Sequence, residues 1–266
     1  MGKKTRSREW DSAAYNRISG PQFSWGKKVV DRVSARGDEL VLDAGCGTGK
    51  LTAEVLAKLP RGRVVAVDLS ENMLRAASEQ LTAKFGERIV FVAADLQDLP
   101  FNQCFDGIFS TAAFHWVPDH DRLFRNLYQS LKPGGWLLAQ CGGGPNLSRL
   151  LGRVSVLSQQ PSFAPYLADH QPSWMYSDAE TTAKRLRSAG FVEVETSLEA
   201  APTPLDNAQR YCEFVSKVIL HRHLERIPDA KLQRQFVEEL SRQAAKDDPP
   251  FLLDYWRLNL SGRRPS

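Results

Sequence analysis

The chain reads as an α/β protein built on a doubly wound, mainly parallel sheet, and three observations predict it. Apolar strand-like runs alternate with helix-period segments five times between residues 38 and 142. A glycine-rich turn, Gly45-Cys46-Gly47-Thr48-Gly49, follows the first run and opens the first crossover helix. Aspartates close three successive runs: Asp43, Asp68 and Asp95. In a parallel sheet all strand C-termini face one edge, so these carboxylates converge on one crevice.

Composition narrows the class. With 266 residues, 42% hydrophobic and 25% charged, one α/β domain with additions is expected. No apolar run approaches the ~20 residues of a membrane span, and Met1 to Arg8 is basic without a signal-peptide apolar stretch. Net charge is +4, but much of the excess sits at Lys3, Lys4, Arg6 and Arg8 and at Arg263 and Arg264. The interior has no basic stripe interleaved with aromatics, so nucleic acid is not the expected partner. Cys46, Cys104, Cys141 and Cys212 form no C-x-x-C pair. Neither a metal site nor a disulfide framework is expected, and the reducing cytoplasm is the expected location.

Residues 9–36 carry helical apolar positions, including Trp10, Tyr15, Trp25 and Val29, and Gly20-Pro21 breaks them into two pieces. Leu40 to Leu42 is the first strand, followed by a helix with Leu51, Val55, Leu56 and Leu59 on one face. Residues 63–68 form a second strand. Its terminal Asp68 stands about 20 residues past the turn, where a doubly wound fold places the acid that takes a ribose diol. Ser70 suits the N-cap of the next helix, 71–85, which turns Met73, Leu74, Ala77, Leu81 and Phe85 inward. Residues 89–95 and 104–112 are the third and fourth strands. Asp119 caps a helix with an apolar face of Leu123, Phe124, Leu127, Tyr128 and Leu131. Lys132-Pro133-Gly134-Gly135 then stops that helix ahead of strand 136–140.

Farther on, 145–158 reads as a helix, 159–176 as a loop, and a helix capped at Ser177 ends at Gly190. Residues 191–198 alternate in period two as a half-exposed strand. Residues 205–224 and 229–246 read as helices divided by Pro228, and 252–261 as a closing strand.

Asp43-Ala44-Gly45-Cys46-Gly47-Thr48-Gly49 resembles the first motif of the class I S-adenosylmethionine-dependent methyltransferases. That resemblance, strongest over 38–142, implies a Rossmann-like seven-stranded sheet with the last strand antiparallel, N-terminal helices and a helical cap. It also implies S-adenosylmethionine as cofactor and an organisation into a lid, 1–37, and a methyltransferase domain, 38–266. The core would be 38–142, and the cap and closing strands 143–266. By resemblance the cofactor touches Tyr15, Asp43, Gly45, Cys46, Gly47, Gly49, Asp68, Leu69, Met73 and Thr111. Asp95 would accept from the adenine amine and Leu96 present a backbone amide to a ring nitrogen. Asp106 resembles an acid that is usually structural.

Within that superfamily the chain is most similar to the trans-aconitate methyltransferase group. Residues 10–15, Gln22-Phe23 and 110–120 carry the similarity, with weaker support from 218–228 and 253–258. That implies esterification of a carboxylate on a small acid. A carboxylate is already ionised at neutral pH, so alignment and desolvation suffice. Methylation of a quinone or another ring would instead need a base, for which His115 is placed. The remaining readings are a nucleic-acid methyltransferase and a cofactor binder without turnover. His115, Trp116, Trp174, His223 and Tyr255 are the expected substrate contacts; Arg222 and Arg257 could pair with substrate carboxylates, against solvation as the default for an arginine. His221 and His223, two apart on one helix, are poor joint metal ligands. A monomer or homodimer acting on a small molecule is expected.

Overall fold

The computed structural model of the protein describes residues 9–171 and 174–266. The basic segment 1–8 lies outside the described residues. Two helices come first, α1 (Ser12–Ile18) and α2 (Gly20–Asp31). They part at Ser19 and not at Gly20-Pro21. Pro21 occupies the first turn of α2, where a missing N–H costs nothing.

The glycine turn joins β1 (Leu40–Ala44) to α3 (Lys50–Ala57). Then follow β2 (Arg63–Asp68), α4 (Glu71–Phe85), β3 (Ile89–Ala93) and β4 (Phe105–Thr111). Next come α5 (His120–Ser130) and β5 (Leu131–Gly142). β1 to β5 pair in parallel in the order β3-β2-β1-β4-β5. Ser70 and Asp119 cap α4 and α5 as expected, accepting from Met73 N and Arg122 N. Leu123, Phe124 and Leu127 of α5 are fully buried, which stabilises its docking by about 1.5–3 kcal/mol per side chain. Asp106 is structural: it accepts from Leu40 N at 2.8 Å and from Lys132 Nζ at 2.9 Å, tying β4 to β1 and β5.

The second half departs more from expectation. Helix α6 runs Ser148–Ser158, shorter than 145–158 because Leu147 takes a left-handed conformation. A short helix, α7 (Ala164–Leu167), interrupts the expected loop. The cap of α8 (Ala179–Ser188) is Asp178, which accepts from Thr181 N, and not Ser177, whose hydroxyl accepts from Arg185. β6 (Val192–Ala200) and a short β7 (Thr203–Pro204) precede α9 (Ala208–Phe214). A π-helical turn, Val215–Ile219, links α9 to α10 (His221–Glu225), and α11 (Ala230–Ala244) follows Pro228.

The closing strand is broken. β8 (Leu252–Leu253) pairs with β7 in a separate ribbon. After two residues β9 (Trp256–Arg263) enters the main sheet, antiparallel to both β5 and β6. The sheet thus has seven strands in the order β3-β2-β1-β4-β5-β9-β6, with one antiparallel member. Leu258 and Leu260 of β9 share a core with Leu42 of β1 and Leu137 of β5. A separate apolar cluster joins α6, α7, α9, α11 and the π turn with Tyr255. No helix among the described residues is long and apolar enough to cross a membrane.

Candidate functional site

The glycine turn folds back onto β2. Gly45 N and Cys46 N both donate to Val67 O, at 2.8 and 2.9 Å. Gly47 N donates to Asp68 Oδ2 at 2.9 Å, and Ser70 N to Asp68 Oδ1 at 2.9 Å. The turn and the acid at the end of β2 therefore hold each other in place. Gly45 has φ +85, and a Cβ there would lie 2.2 Å from Ala113 Cβ, so only glycine fits. At Gly47 a Cβ would meet nothing within 4 Å: the turn faces open space.

Asp43, the fourth residue of β1, is buried and accepts from Thr52 Oγ1 at 2.6 Å. Burial pushes its carboxyl up to about 7, outweighing that hydrogen bond, and the charge of Asp68 adds to the rise. Burial also raises Asp68, against the opposing backbone donors Ser70, Gly47 and Leu69. Asp95 lies two residues past β3, and its Oδ1 accepts from Gln97 N at 2.9 Å, so it closes a local turn. All three acids line one cleft, as the strand ends require.

A segment from the N-terminus lies across that cleft. Glu9 accepts from Ser70 Oγ, Glu71 N and Asn72 N, over the positive end of α4. Asn16 accepts from Thr48 Oγ1 at 2.6 Å through its side chain and from Lys50 Nζ at 2.7 Å through its carbonyl. Trp10 packs edge-on to Trp116 at 5.2 Å and to Tyr15 at 5.8 Å. Tyr15 is kept protonated by burial beside Asp68, its phenol pushed up to about 12.

The walls formed by Trp10, Tyr15, Gln22, Ala112 and Trp116 are shared with a second, inner chamber. His115, Asn146, Tyr176, Tyr255 and Arg257 line it, and none of these five lines the outer cleft. His115 is buried, and its Nδ1 accepts from Gly142 N at 3.3 Å. Burial, reinforced by the Arg257 charge, holds the imidazole well below its ordinary range. The ring is neutral with its proton on Nε2, because Gly142 N–H can only donate to Nδ1. Arg257 is not solvated: it is 3% exposed, on β9 beside Trp25.

Every expected cofactor contact except Gly49 lines the outer cleft. Gly49 caps α3 at φ +81, and the space its Cβ would take is filled by Leu81. His115, Trp116 and Tyr255 line the inner chamber. Trp174 and His223 line neither space; they stack on each other at 5.1 Å, and Trp174 stacks on Tyr176 at 6.2 Å. Trp25 also stands outside both chambers, against Tyr255 and Arg257. Sequence reasoning missed Asn146 and Gln22 as lining residues. Gln22 Oε1 is buried without a protein partner, facing both chambers. Its place beside Phe23 in the N-terminal motif was the available signal. Among the described residues no cluster of His, Cys, Asp or Glu could hold a metal ion.

Residues 41–135 match the family described as Methyltransferase domain. The trans-aconitate 2-methyltransferase of Methylobacterium nodulans is 29% identical over 276 aligned residues, covering 96% of this chain and 98% of that protein. The Deinococcus radiodurans enzyme of the same name is 27% identical, covering 85% and 86%. Among solved structures, the phosphoethanolamine N-methyltransferase 2 of Haemonchus contortus in complex with S-adenosyl-L-methionine superposes with a TM-score of 0.62. It is 21% identical and covers 96% of this chain, which spans 57% of that longer protein. The chain thus resembles the class I S-adenosylmethionine-dependent methyltransferases, through the methyltransferase-domain match over 41–135 and through relatives aligned along most of its length. Within that class it resembles the trans-aconitate methyltransferase group.

Proposed function

We propose that the outer cleft holds S-adenosylmethionine and that the protein esterifies a carboxylate of a small acid in the inner chamber. The observation that carries this reading is the state of His115. Its Nδ1 is occupied by Gly142 N–H and its imidazole is held neutral, so Nε2 carries a proton and has no lone pair with which to act as a base. A nucleophile that needs no deprotonation suits such a site, and a carboxylate is one. The similarity to proteins named trans-aconitate 2-methyltransferase supports an acidic acceptor.

The residues fit the cofactor. Asp68, at the end of β2 and fixed by the glycine turn, would take the ribose hydroxyls. Asp95 and Leu96 would face the adenine, with Met73 and Leu69 against its ring. Asp43, Gly45, Cys46 and Tyr15 would surround the amino-acid end, and Thr111 the end of β4. The space in front of Gly47 lets a ligand approach the backbone. When bound, the cofactor supplies a methyl group activated by its sulfonium.

His115 Nε2–H would hold and orient the reacting carboxylate. Tyr176 and Tyr255 would exclude water, so a carboxylate oxygen enters partly desolvated. An acceptor already ionised would bring its own electron pair, so no residue here would need to take a proton from it. The described part of the 1–37 segment, residues 9–37, would serve as the lid of this arrangement, and 143–266 supply the cap and closing strands around the acceptor. The test is methyl transfer from labelled S-adenosylmethionine to small carboxylic acids, quinone precursors and bulk RNA. Base-labile label on an acid is the expected result. Base-stable label on a ring, or label in RNA, would replace this reading.

A further inference from the structure

Arg257 carries a buried charge that the protein leaves uncompensated. The side chain is 3% exposed. Its Nε donates to Gln140 Oε1 at 3.3 Å, and Gln140 is fixed in turn by Nε2 donating to Asn259 Oδ1 at 2.8 Å. Its guanidinium lies over the Trp25 ring at 4.6 Å. Among the described residues no carboxylate is its partner. Glu199, directly across the strand pair, is turned to Lys28 at 3.7 Å. Besides the neutral His115, the neighbours that could ionise to an anion are the Cys141 thiol and the phenols of Tyr255, Tyr176 and Tyr15. Burial pushes every one of these groups up, so all are neutral at pH 7. A stacked tryptophan and one amide oxygen offset only part of what a buried cation costs. The usual resolution is an anion that arrives with the ligand.

We propose that Arg257 is a specificity-determining residue: its guanidinium holds an anionic group of the acceptor other than the carboxylate that takes the methyl. This rests on the reading of the site as a carboxylate methyltransferase. Two features separate the anions. Arg257 lines the inner chamber alone, whereas the walls toward the cofactor cleft are the uncharged Trp10, Gln22, Ala112 and Trp116 with the neutral phenol of Tyr15. A forked guanidinium on the reacting carboxylate would also draw charge from the attacking oxygen, whereas the neutral His115 donor draws less. An acceptor with two anionic groups would span from the sulfonium to Arg257, with each cation facing its own anion.

The experiment uses the intact protein loaded with S-adenosylhomocysteine and probes of four to six carbons. Each dicarboxylate is titrated calorimetrically beside its half-ester and the matching monocarboxylate. The same set is then offered for methyl transfer from labelled S-adenosylmethionine. The wild type should bind and esterify dicarboxylates roughly 30-fold better than either monoanion. Arg257→Gln should raise the dicarboxylate KM by roughly 100-fold while kcat stays within a few-fold and S-adenosylhomocysteine affinity is unchanged. Arg257→Lys should recover part of that loss, since it keeps the charge without the fork. Equal handling of mono- and dicarboxylates by the wild type would overturn the assignment while leaving esterification standing; this comparison needs no variant to fold. Arg257-dependent dicarboxylate binding without ester formation would do the reverse. Absence of both binding and esterification across the set counts against both.

Discussion

At the residue scale, Asp68 and Asp43 illustrate how one side chain type behaves differently by environment. Asp68 accepts two backbone donors and still lines the cleft, so Asp68→Asn places an amide against one of those N–H groups. S-adenosylhomocysteine affinity should weaken by roughly 10- to 100-fold in calorimetry. Unchanged affinity would remove Asp68 from the ribose site. Asp43 titrates near neutrality because burial raises it from 3.8 to about 7. A raised folded pKa means that its stabilising contribution is complete below the unfolded value and is lost as pH rises from there through about 7. In the proposed arrangement a cofactor ammonium beside it would favour the ionised form, so binding should tighten from about pH 5 to about pH 8 and release a proton in between. Calorimetry in buffers of differing ionisation enthalpy measures that proton; none released would place the ammonium elsewhere. His115 stays neutral across this range, because its pKa is lowered well below 6.5. The pH profile of kcat should therefore lack a His115 inflection between about 6 and 8. His115→Ala should lower kcat by roughly 10- to 100-fold with cofactor affinity kept.

At the element scale, the glycine turn is a packing device as much as a ligand cradle. Gly45→Ala drives a methyl into Ala113 and strains a positive φ, which should cost roughly 3 kcal/mol in urea unfolding. Pairing it with Ala113→Gly removes the clash and should leave only about 1–2 kcal/mol of backbone strain. If the pair is no more stable than the single variant, the collision is not the cause. These elements were the legible ones. The turn, the strand-end acids and the caps at Ser70 and Asp119 obey short-range rules that a local pattern exposes. The later elements were misjudged where a partner far along the chain decides the outcome. Strand 252–261 breaks because Leu252–Leu253 finds β7 while Trp256–Arg263 finds β5 and β6. The choice between a solvated Arg257 and one that pairs with substrate was not legible, because nothing in Asp254-Tyr255-Trp256 shows that β9 runs between two other strands and buries it.

At the scale of the whole molecule, the sheet does not respect the division of the chain into core and additions. β9 covers the edge of β5 along seven register pairs from Trp136↔Arg263 to Gly142↔Arg257. Leu258 and Leu260 complete the apolar core under β1 and β5. A fragment of residues 38–142 would expose that edge and core face together, and unpaired edges template aggregation. The fragment should express insoluble, or fail to show native-like circular dichroism and cooperative urea unfolding. A soluble, cooperatively folding fragment would establish 38–142 as an independent unit.

The position of β9 also sets a timetable. A ribosome making this chain finishes β5 well before it begins the strand that must lie against it. At about 5–20 residues per second, the open edge waits on the order of ten seconds for its partner. Throughout that interval the nascent chain presents an unpaired strand and a half-covered apolar face, the features by which chaperones select clients. Its dependence on them is governed by the length of sequence inserted between two neighbouring strands, and not by how stable the finished sheet becomes.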